Sequence, residues 1–175
     1  MHIGEIITAD CANGLGMRVS VFVSGCTNRC PGCFQPQTWD FDYGVEYDEA
    51  IEKRILDELA KPYYTGLSVL GGEPFEKANQ ETVSSLIERV HREIPGRNIW
   101  VYTGFLYDSD LQPGGKAYTQ WTETILDGID ILVDGPFMEE LKDVTLKFRG
   151  SANQRIIDMK KTRESGIVTL SSLNS

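Results

Sequence analysis

Four short apolar runs, each closing on a glycine, constrain this chain more than any other feature. They are "RVSVFVSG" (residues 18–25), "GLSVLGG" (66–72), "NIWVYTG" (98–104) and "IDILVDG" (129–135). Amphipathic segments lie between them. Residues 48–60 put Ile51, Ile55 and Leu59 on one helical face, with Asp48 placed to cap the start. Residues 79–94 put Val83, Leu86, Ile87 and Val90 at helical spacing, and Pro95-Gly96 stops them. Residues 106–118 read as a loop, followed by a weak helix over 121–126. Strands alternating with helices pair in parallel through right-handed crossovers. Runs that are apolar throughout suit a sheet with helices over one face or both. At 175 residues the chain is too short to close an eight-stranded barrel, which takes about 250. The expected fold is therefore α/β: an open, partial (β/α) barrel with a mostly parallel sheet, formed by residues 1–175 as a single domain.

In such a fold, ligand sites form beyond the C-terminal ends of the strands. Gly25-Cys26, Gly71-Gly72-Glu73, Thr103-Gly104 and Asp134-Gly135 all fall there. Four polar or glycine-rich signals on one rim predict an active site.

Composition narrows the functional classes. The net charge of −9 argues against a nucleic-acid binder, which needs clustered Lys and Arg. No apolar run approaches the roughly 18 residues that span a bilayer. "MHIGEIITAD" lacks the basic start and apolar stretch of a signal peptide, so a cytoplasmic protein without a membrane partner is expected. The charge is uneven: residues 1–140 sum to −13 and residues 141–175 to +4. The basic end is either a solvated tail or a docking surface.

Three of the four cysteines, Cys26, Cys30 and Cys33, stand in C-x3-C-x2-C spacing on the loop leaving the first run. A structural zinc site needs a fourth ligand, and only Cys11, His2 and His91 are left to supply one, none at ligand spacing. A disulfide framework does not suit a chain without secretion signals. A redox pair Cys30–Cys33 would leave Cys26 and the glycine turns unexplained. An iron–sulfur cluster accounts for more. Three thiolates on a [4Fe–4S] cube leave one iron open, as a catalytic metal site requires, and a molecule with an amine and a carboxylate could chelate it.

C-x3-C-x2-C followed by Phe34 resembles the cluster motif of radical S-adenosylmethionine enzymes. Gly71-Gly72-Glu73-Pro74 resembles the segment by which that superfamily binds the methionine amino group. Within it, "CPGCFQPQTW" resembles the glycyl-radical activating enzymes. "NGLGMR" (13–18), "WVYTG", "ILVDGPF" (131–137) and "LKDVTLKFRGSANQR" (141–155) are most similar to the branch whose partner is anaerobic ribonucleoside-triphosphate reductase. Leu15 stands where that pattern usually has Pro, and Gln35 where it often has Asn.

The resemblance implies a [4Fe–4S] cluster on Cys26, Cys30 and Cys33, with S-adenosylmethionine on the open iron. It also implies a flavodoxin-like electron donor and hydrogen abstraction from a glycine Cα of the reductase. Gly32 would admit the cofactor close to the cluster, Phe34 would face the adenine, and Gly71 and Gly72 would bring main chain to the amine. Glu73 would accept from that amine or cap the next helix. Cys33, Thr103 and Asp134 complete the expected cofactor contacts, Thr103 and Asp134 with a structural capping role as the equal alternative. Asn13 lacks the charge that holds a cation in the wider family, so no such site is expected. Arg149, Asn153 and Gln154 would order the cofactor or meet the partner. Arg155, Lys160 and Lys161 are expected to be partner-facing, within a basic segment over 141–175. Cys11 is expected to be buried or incidental, and His2 and His91 to lie at the surface. The competing functions are an activase of pyruvate formate-lyase, a small-molecule enzyme of the deazaguanine synthase type, and an electron-transfer or structural metalloprotein.

Overall fold

The computed structural model describes residues 1–174. Seven strands form one open mixed sheet: β1 (His2–Asp10), β2 (Arg18–Val23), β3 (Val45–Glu46), β4 (Gly66–Gly71), β5 (Asn98–Tyr102), β6 (Ile131–Asp134) and β7 (Arg155–Asp158). Their order is β3-β1-β2-β4-β5-β6-β7. The four glycine-terminated runs are the central strands β2, β4, β5 and β6, and these pair in parallel. The outer pairings, β3 on β1, β1 on β2 and β7 on β6, are antiparallel.

The sheet is therefore mixed, and the expectation of a mostly parallel one is corrected. The reason is connection length. Only residues 11–17 join β1 to β2, too few for a crossover, so the chain must fold back as a hairpin. Residues 135–154 between β6 and β7 hold a short 3-10 turn (Glu139–Leu141) and no α-helix, and β7 returns beside β6. Sequence periodicity also missed β1, β3, β7 and the last helix. β1 alternates buried and exposed residues too irregularly to read as a strand.

Four helices, α1 (Glu49–Leu59), α2 (Gln80–Glu93), α3 (Thr122–Gly128) and α4 (Met159–Ser165), complete the fold. Asp48 caps α1 as expected, accepting from Ile51 N at 2.8 Å. Alternation along the strands sends odd and even residues to opposite faces. Val19, Val21, Val23, Leu67, Val69, Ile99, Val101, Leu132 and Ile157 form one core with Ile55, Leu59, Val83, Ile87, Ile125 and Met159 of the helices. The other face carries Phe22, Leu70, Trp100, Tyr102 and Val133. There a smaller cluster forms, with Phe148 set edge-on to Trp100 at 5.3 Å. Helices cover one face of the sheet, and loops cover the other. No helix among the described residues is long and apolar enough to cross a membrane.

Candidate functional site

The loops beyond β2, β4, β5 and β6 enclose a cavity of about 520 Å3 on the loop-covered face. It is lined by Cys26, Cys30, Cys33, Phe34, Gly71, Gly72, Glu73 and Thr103, so most of the predicted rim residues converge on one space. Gly32 and Asp134 are not among its walls.

Main-chain hydrogen bonds dock the cysteine loop onto the β4 turn. Gly72 N donates to Val23 O at 2.7 Å and Glu73 N to Gly25 O at 2.9 Å. A Cβ on Gly72 would stand 2.7 Å from Gly25 O and 2.8 Å from Thr38 O, so glycine is what lets the two turns close together. Gly71 has φ +107° and backs onto Phe22. Thr27, which follows the first cysteine, is anchored through its N–H and hydroxyl to Glu76 Oε1. No sequence signal marked Glu76 for this task.

Glu73 is fully buried and ties the rim together. One carboxylate oxygen accepts from Phe75 N and Thr103 Oγ1, the other from Gly104 N and Asn28 Nδ2, at 2.7–3.0 Å. Burial pushes this carboxyl up to about 7, against the pull of those donors. It caps no helix, because α2 starts only at Gln80. Thr103 donates to Glu73 and accepts from Phe105 N.

Four expectations change. Asp134 is buried beneath the rim, where it accepts from Tyr107 N and from Arg155 Nε and Nη2, so it holds loops rather than facing the cavity. Arg155 is turned inward to Asp134 and Asp108 and is not a free partner-facing cation. Lys160 and Lys161 lie on α4. The register Asp134↔Arg155 and Ile131↔Asp158 puts that helix at the sheet end opposite the cavity. Gly32 has φ +71° and packs under Glu139, which explains the glycine without a ligand. Arg149 does line the cavity, its outer nitrogens bound to Gln154 O and to Asn174. Asn153 Nδ2 donates to Pro136 O, and Gln154 Oε1 accepts from Gly150 N. Cys11 is exposed, which leaves the incidental reading rather than the buried one.

The four cysteines are all free thiols. Burial, and then the charge of Glu73, push the Cys26 thiol up to about 11, while the N–H groups of Arg29 and Asn28 pull it down. Burial also raises Cys30, opposed by the N–H of Phe137. Metal binding displaces thiol protons, so a bound cationic metal would offset the raised values of Cys26 and Cys30. Among the described residues no group of three or more His, Cys, Asp or Glu is arranged to hold a metal ion as it stands. The donor set on this cavity nevertheless suits an iron–sulfur group, because it offers three thiols on one wall and main-chain N–H groups directed at two of them.

The class is defined by the family model for a 4Fe-4S single cluster domain, which matches residues 12–157. Among curated proteins the chain is 40% identical over 158 residues to the anaerobic ribonucleoside-triphosphate reductase-activating protein of Haemophilus influenzae, covering 89% of this chain and 97% of that one. The protein of the same name from Escherichia coli K12 is 37% identical over 156 residues, 88% and 96% of the two chains. That of Enterobacteria phage T4 is 32% identical over 156 residues, 89% and 93%. No solved structure matches. The chain belongs to the 4Fe-4S single cluster family and to the family of anaerobic ribonucleoside-triphosphate reductase-activating proteins.

Proposed function

We propose that this protein activates an anaerobic ribonucleoside-triphosphate reductase by installing a radical on a glycine of that enzyme. The observation that carries the reading is the convergence of Cys26, Cys30, Cys33 and the Gly71-Gly72-Glu73 turn on one cavity, in a chain whose relatives bear that name. A [4Fe–4S] cluster on the three cysteines, with S-adenosylmethionine beside it, supplies one-electron cleavage of a carbon–sulfur bond and the hydrogen abstraction that follows. An external flavodoxin-like protein is the electron source in this reading.

The chain's own residues position and exclude. Gly71 and Gly72 bring main chain against the cavity, where the cofactor's amine would lie. Phe34, exposed and packed on Phe137 at 5.0 Å, offers an apolar face to the adenine. Glu73 fixes the β4 and β5 turns and Asn28 of the cysteine loop to one another. The reading takes the fold as an open partial barrel of the radical S-adenosylmethionine type; the open seven-stranded sheet, with its cavity beyond the parallel strands, supports it. The chain acts as one domain, in the cytoplasm.

Anaerobic reconstitution tests this. Wild-type and Cys11→Ala protein should take up about four irons per chain, and Ala variants of Cys26, Cys30 or Cys33 should not. S-adenosylmethionine should alter the electron paramagnetic resonance signal of the reduced cluster, and a glycyl radical should appear on added reductase. A zinc-only protein, or a cluster signal indifferent to saturating S-adenosylmethionine, would sink the proposal.

A further inference from the structure

The segment that closes over the cysteine loop carries an acidic side chain with no part in the reaction proposed above. Residues 136–142 leave β6 and meet that loop through Phe137, Glu139 and Lys142. The Phe137 ring packs on Phe34. The Phe137 N–H lies near enough to the Cys30 thiol to favour its ionised form. The Glu139 carboxylate lies on Gly32: a Cβ there would stand 2.8 Å from Glu139 Cδ and 3.0 and 3.1 Å from its two oxygens, the three nearest atoms. Gly32 sits between the second and third cysteines, so this carboxylate rests on the turn that carries two of the three thiols. Among the described residues Glu139 is in no ion pair that would neutralise it. The nearest cation along its own segment, Lys142, has its Nζ over the Phe34 ring at 5.1 Å.

A fixed negative charge beside a redox centre opposes the addition of an electron through Coulomb repulsion. Iron–sulfur potentials respond to net charge, to hydrogen bonds on the sulfurs and to solvent exposure. We propose that Glu139 is a positioning residue that lowers the reduction potential of the cluster held by Cys26, Cys30 and Cys33. The inference rests on the cluster reading above. The Phe137 N–H on Cys30 acts in the opposite sense, so one short segment sets the balance. A lowered potential keeps the cluster oxidised until a strong one-electron donor is present, which restrains cofactor cleavage in its absence.

An anaerobic redox titration of reconstituted holoprotein, following the reduced-cluster paramagnetic signal, tests the idea without any turnover. Near the wild-type midpoint, Glu139→Gln should raise the ratio of reduced to oxidised cluster about tenfold, a shift of about 59 mV for a one-electron couple. Glu139→Asp, which keeps the charge, should stay near wild type. Glu139 and Glu140 are both exposed, so solvent screens both, and the contrast is one of contact: Glu140→Gln removes a charge from the same turn that is not among the atoms nearest Gly32, and should change the ratio less than about twofold. An unchanged ratio in Glu139→Gln at full iron content, or an equal rise in Glu140→Gln, overturns the proposal and leaves the cluster reading standing. A wild-type protein that takes up no cluster overturns the reading beneath it.

Discussion

Arg18 opens β2, yet its side chain is fully buried. It survives there because the guanidinium is saturated: Nε donates to Ser68 Oγ, Nη1 to Leu15 O and Asn98 Oδ1, and Nη2 to Leu67 O and Asn98 O. It also lies over the Trp100 ring at 5.2 Å. One side chain thus joins the N-terminal ends of β2, β4 and β5, at the sheet end away from the cavity. Arg18→Met would strand buried acceptors at a cost of roughly 3 kcal/mol, and a thermal melt should fall by about 6–12 °C with the iron content kept. Nothing local in the sequence marks this arginine as buried, since all its hydrogen-bond partners but Leu15 lie 49 to 80 residues away. Gly72 is the opposite case, legible from its motif but for a reason the structure amends. Gly72→Val would press a branched side chain on the Gly25 and Thr38 carbonyls, costing about 1–3 kcal/mol as well as disturbing the cysteine loop. Both the melting temperature and S-adenosylmethionine affinity should drop. Loss of affinity with an unchanged melt would restore the simpler view of a ligand-facing glycine.

At the scale of elements, the β1–β2 hairpin hangs on Asp10. Burial opposes its charge, but Ser20 Oγ, Asn13 Nδ2 and Ala12 N all donate to the carboxylate, and the net effect holds it below the ordinary 3.8. A lowered folded value means the stabilisation is present above the unfolded value and vanishes as pH falls through the folded one. Melts from pH 7 down to 3 should therefore lose stability below about pH 4. Asp10→Asn should be less stable at pH 7 and show a shallower acid loss; a parallel pair of curves would refute the assignment. The helices α1 and α2 follow from a local 3.6-residue pattern with a cap and a stop, which is why both were legible. β7 and α4 were not, because they are short and become ordered against β6 and α3.

For the whole molecule, strand direction decides which surface can meet a partner. The antiparallel return of β7 carries Lys160 and Lys161 away from the cavity mouth, so their charge reversal should leave glycyl-radical formation unchanged. Phe34, Lys142, Asp143 and Val144 line the cavity from exposed positions, and Val144 is 88% exposed. Truncating exposed apolar contacts in an interface costs more than 1 kcal/mol only at a minority of positions, clustered near its centre. Val144→Asp should therefore slow radical transfer to the reductase several-fold at limiting partner, about 1 kcal/mol, while uncoupled cofactor cleavage by dithionite persists. Equal loss of both would place Val144 in the cofactor site, and a Lys160/Lys161 effect would move the interface back to α4.

The sequence by itself determined what depends on short range: three thiols in one loop, glycines at four strand ends, two capped or stopped helices, and hence a site on one rim of an α/β sheet. Only the tertiary structure decided which rim residues face the cavity and which brace it. Asp134 and Arg155 neutralise each other across neighbouring antiparallel strands, and Glu139 reaches Gly32 from more than a hundred residues away. A side chain's partner is set by where the backbone brings distant segments, and strand direction, which here turned on the length and helix content of two connections, cannot be read from the residues inside a strand.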